Sequence, residues 1–170
     1  MRLLLLGCSG FVGRELVPFL LELGHSITVV SRHGNPFPTL ASERLSCLQL
    51  DPSDPTSWQH DRLEMALSQA DGVVNLAGEP IAEKRWTPQH LQLLNSSRIA
   101  TTHALVEAMA ALPEDQRPGV LINGSAIGYY GTSASQQFSE SSPAGSDVLG
   151  RLCEAWEREA RAAEPLCRVV

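Results

Sequence analysis

No stretch of this 170-residue sequence stays apolar for the ~20 residues that a membrane-spanning helix needs. The basic-then-apolar opening, Arg2 to Leu6, is too short for a secretory signal peptide and is interrupted at once by Gly7 and Gly10. No C-x-x-C pair occurs. The four cysteines, Cys8, Cys47, Cys153 and Cys167, have no histidine cluster beside them, which argues against a zinc site or any other bound metal. They read as reduced, mostly buried thiols. No basic stripe appears either. The net charge is −6 and the pI about 5.3, which argues against nucleic acid as the main partner. No membrane partner is expected, and the chain is placed in the cytoplasm. Internal repeats and low-complexity tracts are also missing.

What remains is the composition of a globular domain, 43% hydrophobic and 19% charged. The length suits one domain with a real core. Arg2–Leu6 is a short, continuous apolar run, as a buried parallel strand requires. Phe11–Leu23 follows with apolar residues at helical spacing, stopped by Gly24, and Pro18 is expected to bend it. Ser26–Val30 and Leu45–Leu50 read as strands two and three, separated by a loop carrying Gly34, Pro36 and Pro38. Trp58–Gln69 reads as a short helix and Gly72–Leu76 as strand four. Thr87 caps a long helix with Pro88 at its first position, running to about Ala111. Val120–Ile122 is strand five, 131–147 a polar loop, Val148–Ala163 a helix, and Arg168–Val170 the start of strand six. This alternation predicts an α/β fold with a doubly wound parallel sheet, the NAD(P)-binding Rossmann architecture.

The strongest local signal is Gly7-Cys8-Ser9-Gly10-Phe11-Val12-Gly13, lying between the first strand and the first helix. A helix N-terminus offers free N–H groups and a positive dipole end to a pyrophosphate. Glycines let the backbone turn tightly and approach the phosphates. The spacing is G-x-x-G-x-x-G. The residues at the end of strand two report the type of cofactor. An acid there binds the ribose 2′-hydroxyl of NAD, and an Arg accommodates the 2′-phosphate of NADP. Here the pair is Ser31-Arg32 with no acid. Arg32 forks to a phosphate and Ser31 donates a hydrogen bond, so NADP is favoured and NAD remains possible. His33 is read as exposed loop.

The glycine turn, Asp51 after strand three and Asn75-Leu76-Ala77-Gly78 after strand four resemble short-chain dehydrogenases/reductases of the extended, sugar-nucleotide epimerase type. The runs Val74–Ile81, Arg85-Trp86-Thr87, Ser125–Gly131 and Trp156-Glu157 are similar to a narrower, atypical epimerase-like branch of that superfamily, found in bacteria, plastids and mitochondria. The resemblance implies that Gly7, Ser9, Gly10, Phe11, Val12 and Gly13 cradle the cofactor with Ser31 and Arg32. It puts Asp51 near the adenine and Leu76, Ala77 and Gly78 along the cofactor's middle. It puts Arg98, where relatives usually carry Asn, within reach of the cofactor.

The resemblance also exposes two departures. The superfamily's catalytic Tyr and Lys lie four residues apart on one helix face, but here Leu149 and Cys153 occupy those positions, and neither supplies a proton or a fixed charge. The catalytic candidates that remain are Ser125, with Ala126 one residue from the usual Ser/Thr position, and Tyr130. Tyr129 and Tyr130 are the only tyrosines. Glu79, Glu83 and His90 read as surface or capping residues. The second departure is length. The C-terminal substrate lobe of extended members is missing, so 1–170 is expected to be a dinucleotide-binding domain truncated within or just after strand six.

Two functions follow. One is an NADP-dependent epimerase/dehydratase-like oxidoreductase acting on a small carbonyl or sugar-nucleotide-like substrate. The other is a non-catalytic NADP-binding sensor or scaffold that works through a protein partner. A homodimer built on the two long helices is a further expectation.

Overall fold

A single six-stranded sheet, all parallel, runs in the order β3-β2-β1-β4-β5-β6. The computed structural model describes all 170 residues. The strands are β1 (Arg2–Leu6), β2 (Ser26–Ser31), β3 (Leu45–Gln49), β4 (Gly72–Asn75), β5 (Val120–Asn123) and β6 (Arg168–Val169). The α-helices are α1 (Phe11–Glu22), α2 (Asp61–Ser68), α3 (Pro88–Ala111) and α4 (Val148–Arg161). This is the predicted doubly wound Rossmann order. Its strand sequence reverses between β1 and β4, where ligands of open α/β sheets bind beyond the carboxyl ends of the strands.

The strand alternation divides the core into two layers. Leu4, Leu6, Val30, Leu48, Val73 and Leu121 face α2 and α3, meeting Leu63, Leu67, Leu105 and Met109. Leu5, Ile27, Val29 and Val74 face the other way, toward Val17 of α1, Cys8 and Phe37. Leu4, Leu5 and Leu6 are all fully buried, each a burial of roughly 1.5–3 kcal/mol. A central parallel strand needs apolar residues on both faces, which explains why β1 reads as an unbroken run.

Most predicted boundaries hold to within two residues, and Thr87 caps α3 by accepting the His90 N–H at 3.2 Å. Two elements differ. The single helix expected over Trp58–Gln69 is a 3-10 turn (Pro55–Gln59) followed by α2, with His60 extended between them. Asp54 caps the turn, and the Trp58 indole donates to the Pro52 carbonyl at 3.0 Å. Those contacts hold Trp58 in the core before α2 begins. The second is a 3-10 turn over Ile127–Tyr130, between strand five and the 131–147 loop, where no element is expected from the sequence.

Candidate functional site

Two cavities open above the carboxyl ends of the strands and share Gly7 and Gly10. One is polar, about 170 Å³, and is lined by Ser9, Ser31, Arg32, His33, Asp51, Ala77 and Gly78 among others. The other is largely apolar, about 460 Å³, with Phe11, Val12, Leu76, Ile81, Leu149 and Leu152 on its walls beside Arg98, Ser125 and Cys153. A ligand lying across the glycine turn would therefore have a polar end over β2 and a less polar end over β4 and β5. Every expected cofactor residue except Gly13 lines one of these cavities. Gly13 acts from beneath.

The three glycines have different reasons to be glycine. Gly7 has φ +73°, and a Cβ there would strike the backbone of Leu76 and Ala77. At Gly13 a Cβ would strike the Cys8 backbone, so this glycine lets α1 pack onto the turn. Gly10 is under neither constraint. Its φ is −81°, and the nearest atom a Cβ would meet is the Gly7 carbonyl oxygen at 3.8 Å. The protein's own packing does not require glycine at 10. Close approach of a ligand to the N-terminus of α1 would. No side chain caps that helix end, which leaves its first N–H groups facing the cleft.

The back wall is a hydrogen-bonded network. Thr102 Oγ1 accepts from Asn75 Nδ2 at 2.8 Å and from the Trp156 indole at 2.9 Å, and it donates to the Arg98 carbonyl at 2.8 Å. Asn75 also donates to Asn123 Oδ1 at 2.7 Å and accepts the Ala77 N–H at 3.2 Å. The network ties β4, α3, β5 and α4 together behind the cavity. Arg98 lies over the Trp156 ring, 5.4 Å from its centroid, and donates to the carbonyls of Leu94 and Glu79. Burial pushes its pKa down from its ordinary value. No carboxylate pairs with it.

Cys153 lies near that guanidinium, and burial pushes its thiol up despite the opposing pull of Arg98. Leu149 and Cys153 both line the apolar cavity, so the α4 wall is apolar where the resemblance would place a phenol and an ammonium. The chain's single lysine, Lys84, lies elsewhere and is paired with Glu79.

Ser125 stands at the cavity edge, and its Oγ donates to Glu157 Oε1 at 2.6 Å. Arg161 holds the other oxygen of that carboxylate at 3.3 Å. Tyr130 is placed differently. It stacks on Phe138 at 5.5 Å and lines a side pocket with Tyr129, Glu140 and Glu157 rather than the apolar cavity.

Two residues read as surface or capping groups are instead interior. Glu79 is 8% exposed and His90 7% exposed. Glu79 accepts from Lys84 Nζ at 2.9 Å and lies 3.7 Å from an Arg32 terminal nitrogen. Lys84, then Arg32 and His90, hold its carboxyl below the usual range. A carboxylate can lie there because Lys84 and Arg32 offset its desolvation. The His90 Nε2 atom is buried without a hydrogen-bond partner. The Glu79–Arg32 and Ser125–Glu157 contacts, like the Trp156–Arg98 stack, join residues far apart in sequence, and no spacing rule announces them.

The model of the NAD dependent epimerase/dehydratase family matches residues 3–168. The chain belongs to this family. Over 167 residues it is 34% identical to the chloroplastic epimerase family protein SDR39U1 homolog of Arabidopsis thaliana, covering 96% of this chain and 45% of that protein. Human epimerase family protein SDR39U1 is 32% identical over 164 residues, or 95% of this chain and 49% of that one. A crystal structure of the human protein with NADPH superposes with a TM-score of 0.72 at 30% identity, covering 95% and 49%. UDP-glucuronic acid 4-epimerase from Bacillus cereus shares the fold, with a TM-score of 0.79 at 20% identity over 100% of this chain and 55% of that one. The chain thus spans about half the length of these relatives. No helix is long and apolar enough to cross a membrane.

Proposed function

We propose that this chain is the cofactor-binding part of an NADP-dependent, epimerase-like oxidoreductase. The observation that carries the reading is the free space at Gly10, on an uncapped helix end, between a polar cavity walled by Ser31 and Arg32 and an apolar one. The NADPH in the structure of the human relative supports it. When bound, such a cofactor supplies or accepts a hydride, and the protein orients and shields the reacting centres. The N-terminus of α1 and Gly10 would hold the pyrophosphate, with Arg32 and Ser31 on the 2′-phosphate. The α4 wall of Leu149, Leu152 and Cys153 excludes water from the apolar end. Ser125 holds a proton at Oγ, shared with Glu157, and is the group best placed to exchange one with a small carbonyl or alcohol.

A second reading rests on Leu149 and Cys153. With an apolar α4 wall, the chain binds NADP without turning over and signals its presence to a protein partner. Thermal melts test the shared premise. NADPH must raise the melting temperature more than NADH, since a ligand that binds only the native state stabilises it. No shift with either cofactor would refute both readings. Hydride transfer from NADPH to a panel of carbonyls and sugar nucleotides, assayed on a chain of the relatives' full length, separates catalysis from sensing.

A further inference from the structure

Glu79 is the one buried carboxylate of the cleft, and it lies behind the residues expected to read the cofactor's 2′-phosphate. Its backbone is clamped to α3, because its N–H donates to Ser97 Oγ at 2.9 Å and its carbonyl accepts from Arg98 at 3.1 Å. Its side chain is 10% exposed, whereas those of its partners Arg32 and Lys84 are 44% and 59% exposed. The anion is therefore fixed inside, and the two cations lean over it from the solvent side.

The two pairings are unequal. Lys84 makes a charge-assisted hydrogen bond at 2.9 Å. Arg32 stands off at 3.7 Å, beyond the ~2.7–2.9 Å of such a bond. Its guanidinium makes no hydrogen bond to any acceptor of the chain. The attraction to Glu79 holds it at the edge of the polar cavity while its fork of donors stays unused.

We propose that Glu79 is a displaceable counter-anion for Arg32, a specificity-determining residue that holds the guanidinium in the free chain and gives it up to the 2′-phosphate of NADPH. A phosphate offers the bidentate geometry that a carboxylate at 3.7 Å does not. The exchange has a cost, because the incoming dianion approaches a buried negative charge. Glu79 thus limits NADPH affinity and leaves NADH affinity untouched, since NADH carries nothing to compete for Arg32. The free site is spared the repulsion of two unpaired cations, and bound NADPH stays exchangeable.

This inference rests on the NADP reading above. The test is a fluorescence titration of NADPH and NADH into the wild-type chain, Glu79→Gln, Arg32→Met and the double variant. Glu79→Gln is expected to tighten NADPH by about threefold, or roughly 0.7 kcal/mol, and to leave NADH unchanged. In the Arg32→Met background most of the gain disappears, because no guanidinium is left to release and only the repulsion between Glu79 and the phosphate remains. If Glu79→Gln does not fold, Glu79→Asp keeps the charge but withdraws it from Arg32, and NADPH tightens in the same direction. NADPH binding that weakens or stays the same overturns the proposal and makes Glu79 a strut. Equal changes in NADPH and NADH overturn it too. Wild-type chain that binds neither cofactor refutes the NADP reading itself, and this inference with it.

Discussion

Gly10→Ala separates ligand space from protein space within one motif. The added Cβ meets nothing closer than the Gly7 carbonyl at 3.8 Å, and the residue's φ of −81° is open to alanine. Alanine is a poorer helix N-cap than glycine by roughly 0.5–1 kcal/mol. It recovers about 0.4–1 kcal/mol by restricting the unfolded chain. These terms offset, so the melting temperature without ligand should move by no more than about 3 °C. NADPH affinity should fall at least about tenfold, or ~1.4 kcal/mol, because the methyl group stands where a phosphate must approach the α1 N-terminus. Gly13→Ala is the contrasting control. Its Cβ collides with the Cys8 backbone, and relief requires α1 to lift from the turn. Such overpacking costs about 3 kcal/mol or more, which lowers the melting temperature by roughly 6–12 °C in a chain this size. Differential scanning fluorimetry with and without NADPH measures both quantities in one experiment. A Gly10→Ala variant that binds NADPH normally would refute the argument that empty space at position 10 belongs to a ligand.

Arg32→Met should weaken NADPH several-fold more than NADH in isothermal titration, and added salt should narrow the difference, as for any exposed charge contact. Equal loss of both would remove Arg32 from the 2′-phosphate. Thr102→Val leaves the Asn75 amide and the Trp156 indole without their shared acceptor, at roughly 2–4 kcal/mol, and chemical denaturation should show it. Glu79 has its pKa depressed in the folded chain. Its contribution is therefore present above the ordinary carboxylate pKa and is lost as pH falls through the folded value. The melting-temperature gap between wild type and Glu79→Gln should be present at neutral pH and shrink below about pH 4. Burial raises the Cys8 pKa to about 12, so at pH 8 its thiol should stay silent to Ellman's reagent until the chain unfolds.

The parts legible in the sequence share a physical reason. The strand β1, the glycine spacing and the Thr87-Pro88 helix start are local patterns, in which a few adjacent residues satisfy their own backbone or bury their own faces. Where the reading failed, the decision lay with side-chain partners rather than with local sequence pattern. Glu79 and His90 are polar residues near a loop and a helix start, and by type they belong on the surface. Glu79 is interior because Lys84 crosses the loop and Arg32 arrives from β2. Trp58–Gln69 reads as one helix, but a hydrogen bond from Trp58 to the Pro52 carbonyl holds Trp58 in a separate turn before it.

The Leu149 and Cys153 substitutions need the same distinction between neighbours and partners. Read along α4 alone, they mean that a cation and a proton have vanished from the site. In three dimensions a cation remains, because Arg98 on α3 lines the same cavity as Cys153 with no carboxylate to neutralise it. A proton remains as well, on Ser125, with Glu157 and Arg161 behind it. On the proposed reading, the two functions that the superfamily joins on one helix face would be carried here on separate walls. Charge for binding and a hydroxyl for proton exchange can then fail independently. Arg98→Met should reduce NADPH affinity while leaving the Ser125–Glu157 pair intact. Ser125→Ala should abolish any proton-coupled turnover while NADPH binding persists. A Ser125→Ala variant that loses NADPH binding as strongly as Arg98→Met would show that the two walls act as one.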